Sequence, residues 1–192
     1  MLEPVSTAQE YEQRARALDD TGLRTLWAAI KAGDTPGWPA GKAFEYFILR
    51  AFELERAKVR YPYSVRVQDE VAEQVDGVIY SDGMSVLVEA KDQHLSLNVE
   101  PLAKLRNQLL RRPGGTIGVI FSRSGFTDPA QILAGYMAPT TILLWEEAEI
   151  ELALEIHRVN SFRGGLRWKY RRAVEEGIAF SDLTAFFSEA SP

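Results

Sequence analysis

The architecture is read first from the segment Glu73-Gln-Val-Asp-Gly-Val-Ile-Tyr-Ser-Asp-Gly-Met-Ser-Val-Leu-Val-Glu-Ala-Lys91. Val75 to Tyr80 and Ser85 to Ala90 are apolar, strand-like runs joined by the turn Ser81-Asp-Gly83, which predicts a hairpin or one part of a three-stranded meander. Side chains two apart on a strand share a face, so Glu89 and Lys91 emerge side by side, and the hairpin return brings Asp76 next to them. Two carboxylates and an ammonium then converge at the end of an apolar strand. Asp76, Glu89 and the Ala90 carbonyl can hold a hard divalent cation such as Mg²⁺. Lys91 can orient or deprotonate a water, or steady charge developing on a phosphate. Taken alone, an acidic and a basic residue two apart on a strand are an ordinary charge pair worth under about 1 kcal/mol; it is Asp76 on the neighbouring strand that makes the combination specific.

Outward from this segment, helix and strand signals alternate. Residues 7–32 read as one or two helices broken near Asp20-Thr-Gly22, and Gly33 to Gly41 forms a loop with three glycines and two prolines in nine positions. A helix is expected over 42–58, where Phe44, Phe47, Ile48, Ala51 and Phe52 recur at helical spacing. Glu45 lies within about 20° of Phe52 on that helical wheel. It therefore sits on the apolar stripe, either lining a polar site at the sheet edge or buried with a basic partner.

Downstream, Leu102, Leu105 and Leu109 mark a helix ending at Arg112-Pro-Gly-Gly115, and Thr116 to Phe121 is a buried strand. Helix 129–137, strand 140–145 and helix 147–157 follow. The predicted class is α/β, a mixed β-sheet flanked by helices. Three segments are expected: an N-terminal helical cap over 1–36, a core over 37–157 and a basic C-terminal extension over 158–192 packed on that core.

The motif helix Gly41-Lys-Ala-Phe-Glu45, Val75-Asp-Gly-Val-Ile79, Glu89-Ala-Lys91 and the strand and loop Gly118-Val-Ile-Phe-Ser-Arg-Ser-Gly-Phe-Thr127 together resemble the PD-(D/E)XK nuclease superfamily, most closely its Mrr-like restriction endonuclease branch. The likeness covers roughly residues 39–155. It implies a restriction endonuclease-like fold, Asp76 and Glu89 as metal ligands, Lys91 as the catalytic lysine and Glu45 as the acidic residue from the first core helix. The implied activity is Mg²⁺-dependent hydrolysis of DNA, with Mn²⁺ as a substitute, leaving a 5′ phosphate and a 3′ hydroxyl in restriction, defence or DNA processing. Gln74-Val75 stands where the family pattern has a proline before the aspartate.

Composition narrows the alternatives. The chain has 192 residues with 46% hydrophobic and 26% charged, the balance of a domain that buries its own core. No cysteine and only two histidines, His94 and His157, are present, so thiolate sites and histidine-rich metal clusters are excluded. No run approaches a membrane span and the start lacks signal-peptide features, so a cytoplasmic protein without a membrane partner is expected. Gly37-Trp-Pro-Ala-Gly-Lys42 lacks the spacing and the Ser or Thr of a phosphate-binding loop.

The net charge is −5, yet residues 156–174 hold six basic residues and no acidic one, leaving 16 basic against 27 acidic elsewhere. Cations for a phosphodiester are offered by Lys104, Arg106, Arg111 and Arg112 on the helix after the site and by Arg123 in the next loop. Arg163, Arg167, Lys169, Arg171 and Arg172 in the C-terminal run add more, and Phe162, Trp168 and Tyr170 are interleaved with them. This run can contact nucleic acid, anchor the tail to the core or meet another subunit. Gln93 faces the side of Lys91 if the strand continues, and so lies adjacent to the site. DNA is the expected partner ahead of RNA, with a second copy of the chain or a targeting protein as further partners. A nuclease fold without turnover, binding DNA or protein, is the alternative.

Overall fold

The computed structural model describes residues 8–155 and 161–189. Two short helices, α1 (Ala8–Arg16) and α2 (Asp20–Ala32), precede α3 (Lys42–Leu54). The break between α1 and α2 falls at 17–19, earlier than expected, because Asp19 caps α2 by accepting the Gly22 N–H at 2.8 Å. α3 stops at Leu54 instead of running to residue 58. Arg56 takes a positive φ of 68°, and Lys58–Arg60 becomes a strand, β1.

The expected strand 75–80 is two strands parted at Asp76: β3 (Glu70–Val75), paired only with β2 (Tyr63–Val67), and β4 (Gly77–Ser81). The main sheet has the order β1-β4-β5-β6-β7, with β5 Met84–Lys91, β6 Thr116–Ser122 and β7 Ile142–Glu146. β1, β4 and β5 run antiparallel, and β5, β6 and β7 run parallel. The parallel part needs crossovers, which α4 (Glu100–Leu109) and α5 (Asp128–Gly135) supply. The mixed α/β sheet flanked by helices is therefore as the sequence predicts.

Alternation along β5 divides the molecule. Val86, Val88 and Ala90 face the larger apolar core with α3, while Leu87 faces the smaller core with α4. Glu89 and Lys91 continue the Leu87 side. Gly77, directly after Asp76, lets α3 lie close to the sheet: a Cβ there would come within 2.6 Å of both Leu49 Cδ atoms.

After α6 (Glu147–Glu155), the chain resumes in α7 (Ser161–Glu176) and α8 (Leu183–Glu189); His157 and Arg158 lie outside the described residues. Phe162 stacks on Trp145 at 6.0 Å and Trp168 meets Phe186. A Cβ on Gly165 would meet the Trp145 ring at 3.0 Å. These residues anchor the tail to the core.

Lys169, expected from sequence to contact nucleic acid, is instead fully buried. Its Nζ lies 2.6 Å from Glu149 Oε1, 2.7 Å from the Leu144 carbonyl and 2.6 Å from the Ser181 carbonyl, a set of acceptors that makes burial of the ammonium tolerable. No helix among the described residues is long and apolar enough to cross a membrane.

Candidate active site

Asp76 occupies the kink between β3 and β4, and its Oδ2 accepts the Ala90 N–H at 3.0 Å. That bond replaces a strand pairing and holds the carboxylate beside the end of β5. Glu89 is fully buried. Its Oε1 receives two ammonium groups, Lys91 Nζ at 2.6 Å and Lys104 Nζ, from α4, at 2.7 Å. Its Oε2 is buried with no hydrogen-bond partner. Glu45, on the first turn of α3, pairs with Lys42 at 2.6 Å. The structure thus brings together Asp76, Glu89 and Lys91, with Glu45 close enough to feel the charges of Asp76 and Lys91.

The electrostatics follow from crowding acids in a poorly solvated corner. Burial, then the charge of Asp76, pushes the Glu45 carboxyl up to about 7 against the pull of Lys42 and Lys91. Asp76 is raised too, first by burial and then by Glu89, with the Ala90 N–H and the two lysines opposing. Burial alone would lower Lys91, but Glu89, Asp76 and Glu45 outweigh it and hold its proton more tightly than usual. Lys91 is therefore an ammonium in this arrangement.

Among the described residues no group of three or more His, Asp or Glu side chains is arranged to hold a metal ion. Two carboxylates with main-chain oxygen and water are nevertheless the protein share that Mg²⁺ ordinarily takes. The orphaned Glu89 Oε2 is the observation that fits the set to a hard cation, since a buried carboxylate oxygen without a donor is costly.

The other predicted residues fall into distinct settings. β5 ends at Lys91, so Gln93 does not extend its face; it is exposed and donates to the Leu95 carbonyl at 3.1 Å. Arg111 and Arg112 both pair with Glu73 on β3. Arg123 bonds Asp92, Glu147 and the Ile30 carbonyl, tying the sheet end to α2. Arg163 bonds Ser81, Asp82 and the Glu55 carbonyl. Arg171 and Arg172 pair with Glu175 and Glu176, and Arg167 is exposed on α7. These arginines do not converge on Asp76, Glu89 and Lys91.

Two residues on α4 matter more than their sequence setting suggests. Lys104 reads as one cation of a helix face, yet it touches Glu89. Gln108 is almost fully buried and donates to the Gln74 carbonyl at 3.0 Å, which fixes α4 against the strand leading into Asp76. A polar residue one turn from Lys104 on the stripe Leu102, Leu105, Leu109 was the available signal for Gln108.

A mixed sheet carrying an Asp at the start of one strand and a Glu-x-Lys at the end of its neighbour defines a nuclease fold of the PD-(D/E)XK type. The family model for the restriction endonuclease catalytic domain of Mrr type matches residues 40–153, and the chain belongs to this restriction endonuclease family. Among solved structures it is similar to AF1548, a protein of unknown function, with a TM-score of 0.46 and 19% identity over 70% of this chain and 77% of that one. It is also similar to MspJI restriction endonuclease in complex with a 27-mer oligonucleotide, with a TM-score of 0.43 and 21% identity. That match covers 94% of this chain, which spans 41% of the length of the MspJI chain. No curated protein matches the sequence.

Proposed function

We propose that this protein is a divalent-metal-dependent endonuclease that hydrolyses DNA phosphodiester bonds, with Asp76, Glu89 and the Ala90 carbonyl as the metal-holding set. The observation that carries the reading is the meeting of Asp76, Glu89 and Lys91 at the end of β5, with the second carboxylate oxygen of Glu89, Oε2, buried and without a partner. When bound, Mg²⁺ or Mn²⁺ would supply Lewis-acid polarisation of the phosphate and a more acidic water.

The chain's own residues account for the rest. Asp76 is oriented by the Ala90 N–H, so it is presented to the cleft without reorganisation. Lys91 keeps its proton on Glu89, which suits it to orient water and stabilise negative charge accumulating on the phosphate in the transition state. Glu45 adds a carboxyl that holds or releases a proton near neutrality at the cleft edge and can accept from a water near the reacting group. Attack of water on phosphorus opposite the 3′ oxygen would break the P–O3′ bond, with the departing 3′ oxygen taking a proton from water, so that the phosphate stays on the 5′ side and a 3′ hydroxyl is left.

The test is an end-labelled substrate panel of duplex, single-stranded, branched and methylated DNA plus RNA, with Mg²⁺, Mn²⁺ or EDTA. Metal-dependent cleavage of DNA that disappears in Asp76→Asn is expected, with products that carry 5′ phosphates. No cleavage of any DNA under any metal condition would overturn the assignment, and cleavage confined to RNA would move it to another substrate class.

A further inference from the structure

The two lysines on Glu89 Oε1 are not equivalent, and their difference points to an exchange. This inference rests on the nuclease reading. Around the site, three carboxyl groups (Glu45, Asp76, Glu89) face three ammonium groups (Lys42, Lys91, Lys104), so the cluster carries no net negative charge even without a metal. A divalent cation on Asp76 and Glu89 would leave an excess positive charge in a buried corner, where unbalanced charge is costly. One cation must then weaken its hold.

Lys104 is the one placed to do so. Its side chain is 47% exposed, against 30% for Lys91 and 39% for Lys42. Lys91 is the last residue of β5 and its own carbonyl accepts the Arg123 N–H at 3.2 Å, and Lys42 is held by Glu45 on its own helix turn. Lys104 instead projects from the middle of α4 and lines an open groove of about 370 Å³ with Gln74, Asn107 and Arg111. Its ammonium can leave Glu89 for solvent or for an anion in that groove without breaking a strand or a helix.

We propose that Lys104 acts as a built-in counter-ion that occupies Glu89 until a divalent cation arrives, and then turns to contact a phosphate of the nucleic acid backbone. Metal and Lys104 thus compete for one carboxylate, and the substrate's phosphate takes up the displaced charge. Without substrate, the lysine weakens metal uptake; with substrate, it strengthens backbone binding. This couples metal loading to the presence of DNA.

The experiment uses the full chain and Mn²⁺ alone, with free Mn²⁺ followed by electron paramagnetic resonance, and compares wild type with Lys104→Met and Lys104→Arg. Lys104→Met should bind Mn²⁺ at least about fivefold more tightly, because a close positive charge is gone, and Lys104→Arg should restore wild-type affinity. With Ca²⁺ in place of Mn²⁺, Lys104→Met should bind a short duplex several-fold more weakly. Thermal unfolding of each variant confirms that it is folded. Mn²⁺ affinity that is unchanged or weaker in folded Lys104→Met, while Asp76→Asn abolishes uptake, overturns the exchange and leaves the nuclease reading standing. No Mn²⁺ uptake by either the wild type or Lys104→Met, with or without a short duplex, overturns both.

Discussion

Burial and the neighbouring Asp76 push the Glu45 carboxyl up to about 7 from 4.5, so the unfolded chain releases this proton at a lower pH than the folded one. Ionisation between those values favours the unfolded state, and in EDTA stability falls as pH rises through that window. The Glu45 share is on the order of 3 kcal/mol. Glu45→Gln should flatten the slope without abolishing it, because Asp76 is raised in the same direction. Urea unfolding at several pH values checks this, and identical slopes in variant and wild type would contradict it. Lys169 behaves oppositely to a surface cation. Lys169→Ala leaves Glu149 buried without its partner and should cost about 3–5 kcal/mol while duplex binding by the protein that remains folded is unchanged; weaker DNA binding at unaltered stability would return Lys169 to the binding surface.

At the scale of elements, the site depends on a strand that breaks. The ladder with β2 ends at Val75, Asp76 accepts the Ala90 N–H, and Gly77 lets α3 approach the first residue of β4. Gly77→Val forces Leu49 and the backbone near Arg60 apart, which should cost about 1–3 kcal/mol or more and lower Mn²⁺ uptake by moving Asp76. Unchanged uptake in the variant would show that the kink holds Asp76 without this close contact. Much of this was legible beforehand. Period-two patterning places Glu89 and Lys91 on one face, and the turn at Ser81-Asp-Gly83 returns the chain to Asp76. What hid Lys104 is helical phase: it lies between the buried stripe of Leu102 and Leu105 and the solvent face, and nothing in α4 alone says that a strand-end carboxylate sits opposite. The division of 75–80 into two strands was hidden as well, since the residues around Asp76 are apolar on both sides and a kink leaves no periodicity of its own.

For the whole molecule, charge composition misled where packing pattern would not have. Residues 156–174 carry six basic residues, yet Phe162, Gly165, Leu166 and Lys169 stand at i, i+3, i+4 and i+7, the spacing of a core-facing stripe. That stripe places α7 on Trp145 and the α6–α8 pair, so the C-terminal helices complete the larger core. Phe162→Ala should therefore destabilise the entire protein by about 3–5 kcal/mol, lowering the single unfolding midpoint seen by both tryptophan fluorescence and far-UV circular dichroism. A separate early transition of the tail, with the sheet unaffected, would contradict a shared core.

Hydrolysis of DNA by the Asp76, Glu89 and Lys91 cluster with a divalent metal is the proposed activity. It is tested most directly by incubating supercoiled plasmid with wild type and with Lys91→Ala in Mg²⁺, Mn²⁺ or EDTA and following nicked and linear forms. The expected result is metal-dependent nicking by the wild type, none in EDTA, and at least about a hundredfold loss in the variant, the scale of removing one charge-stabilising group. Equal nicking by the two proteins would contradict it.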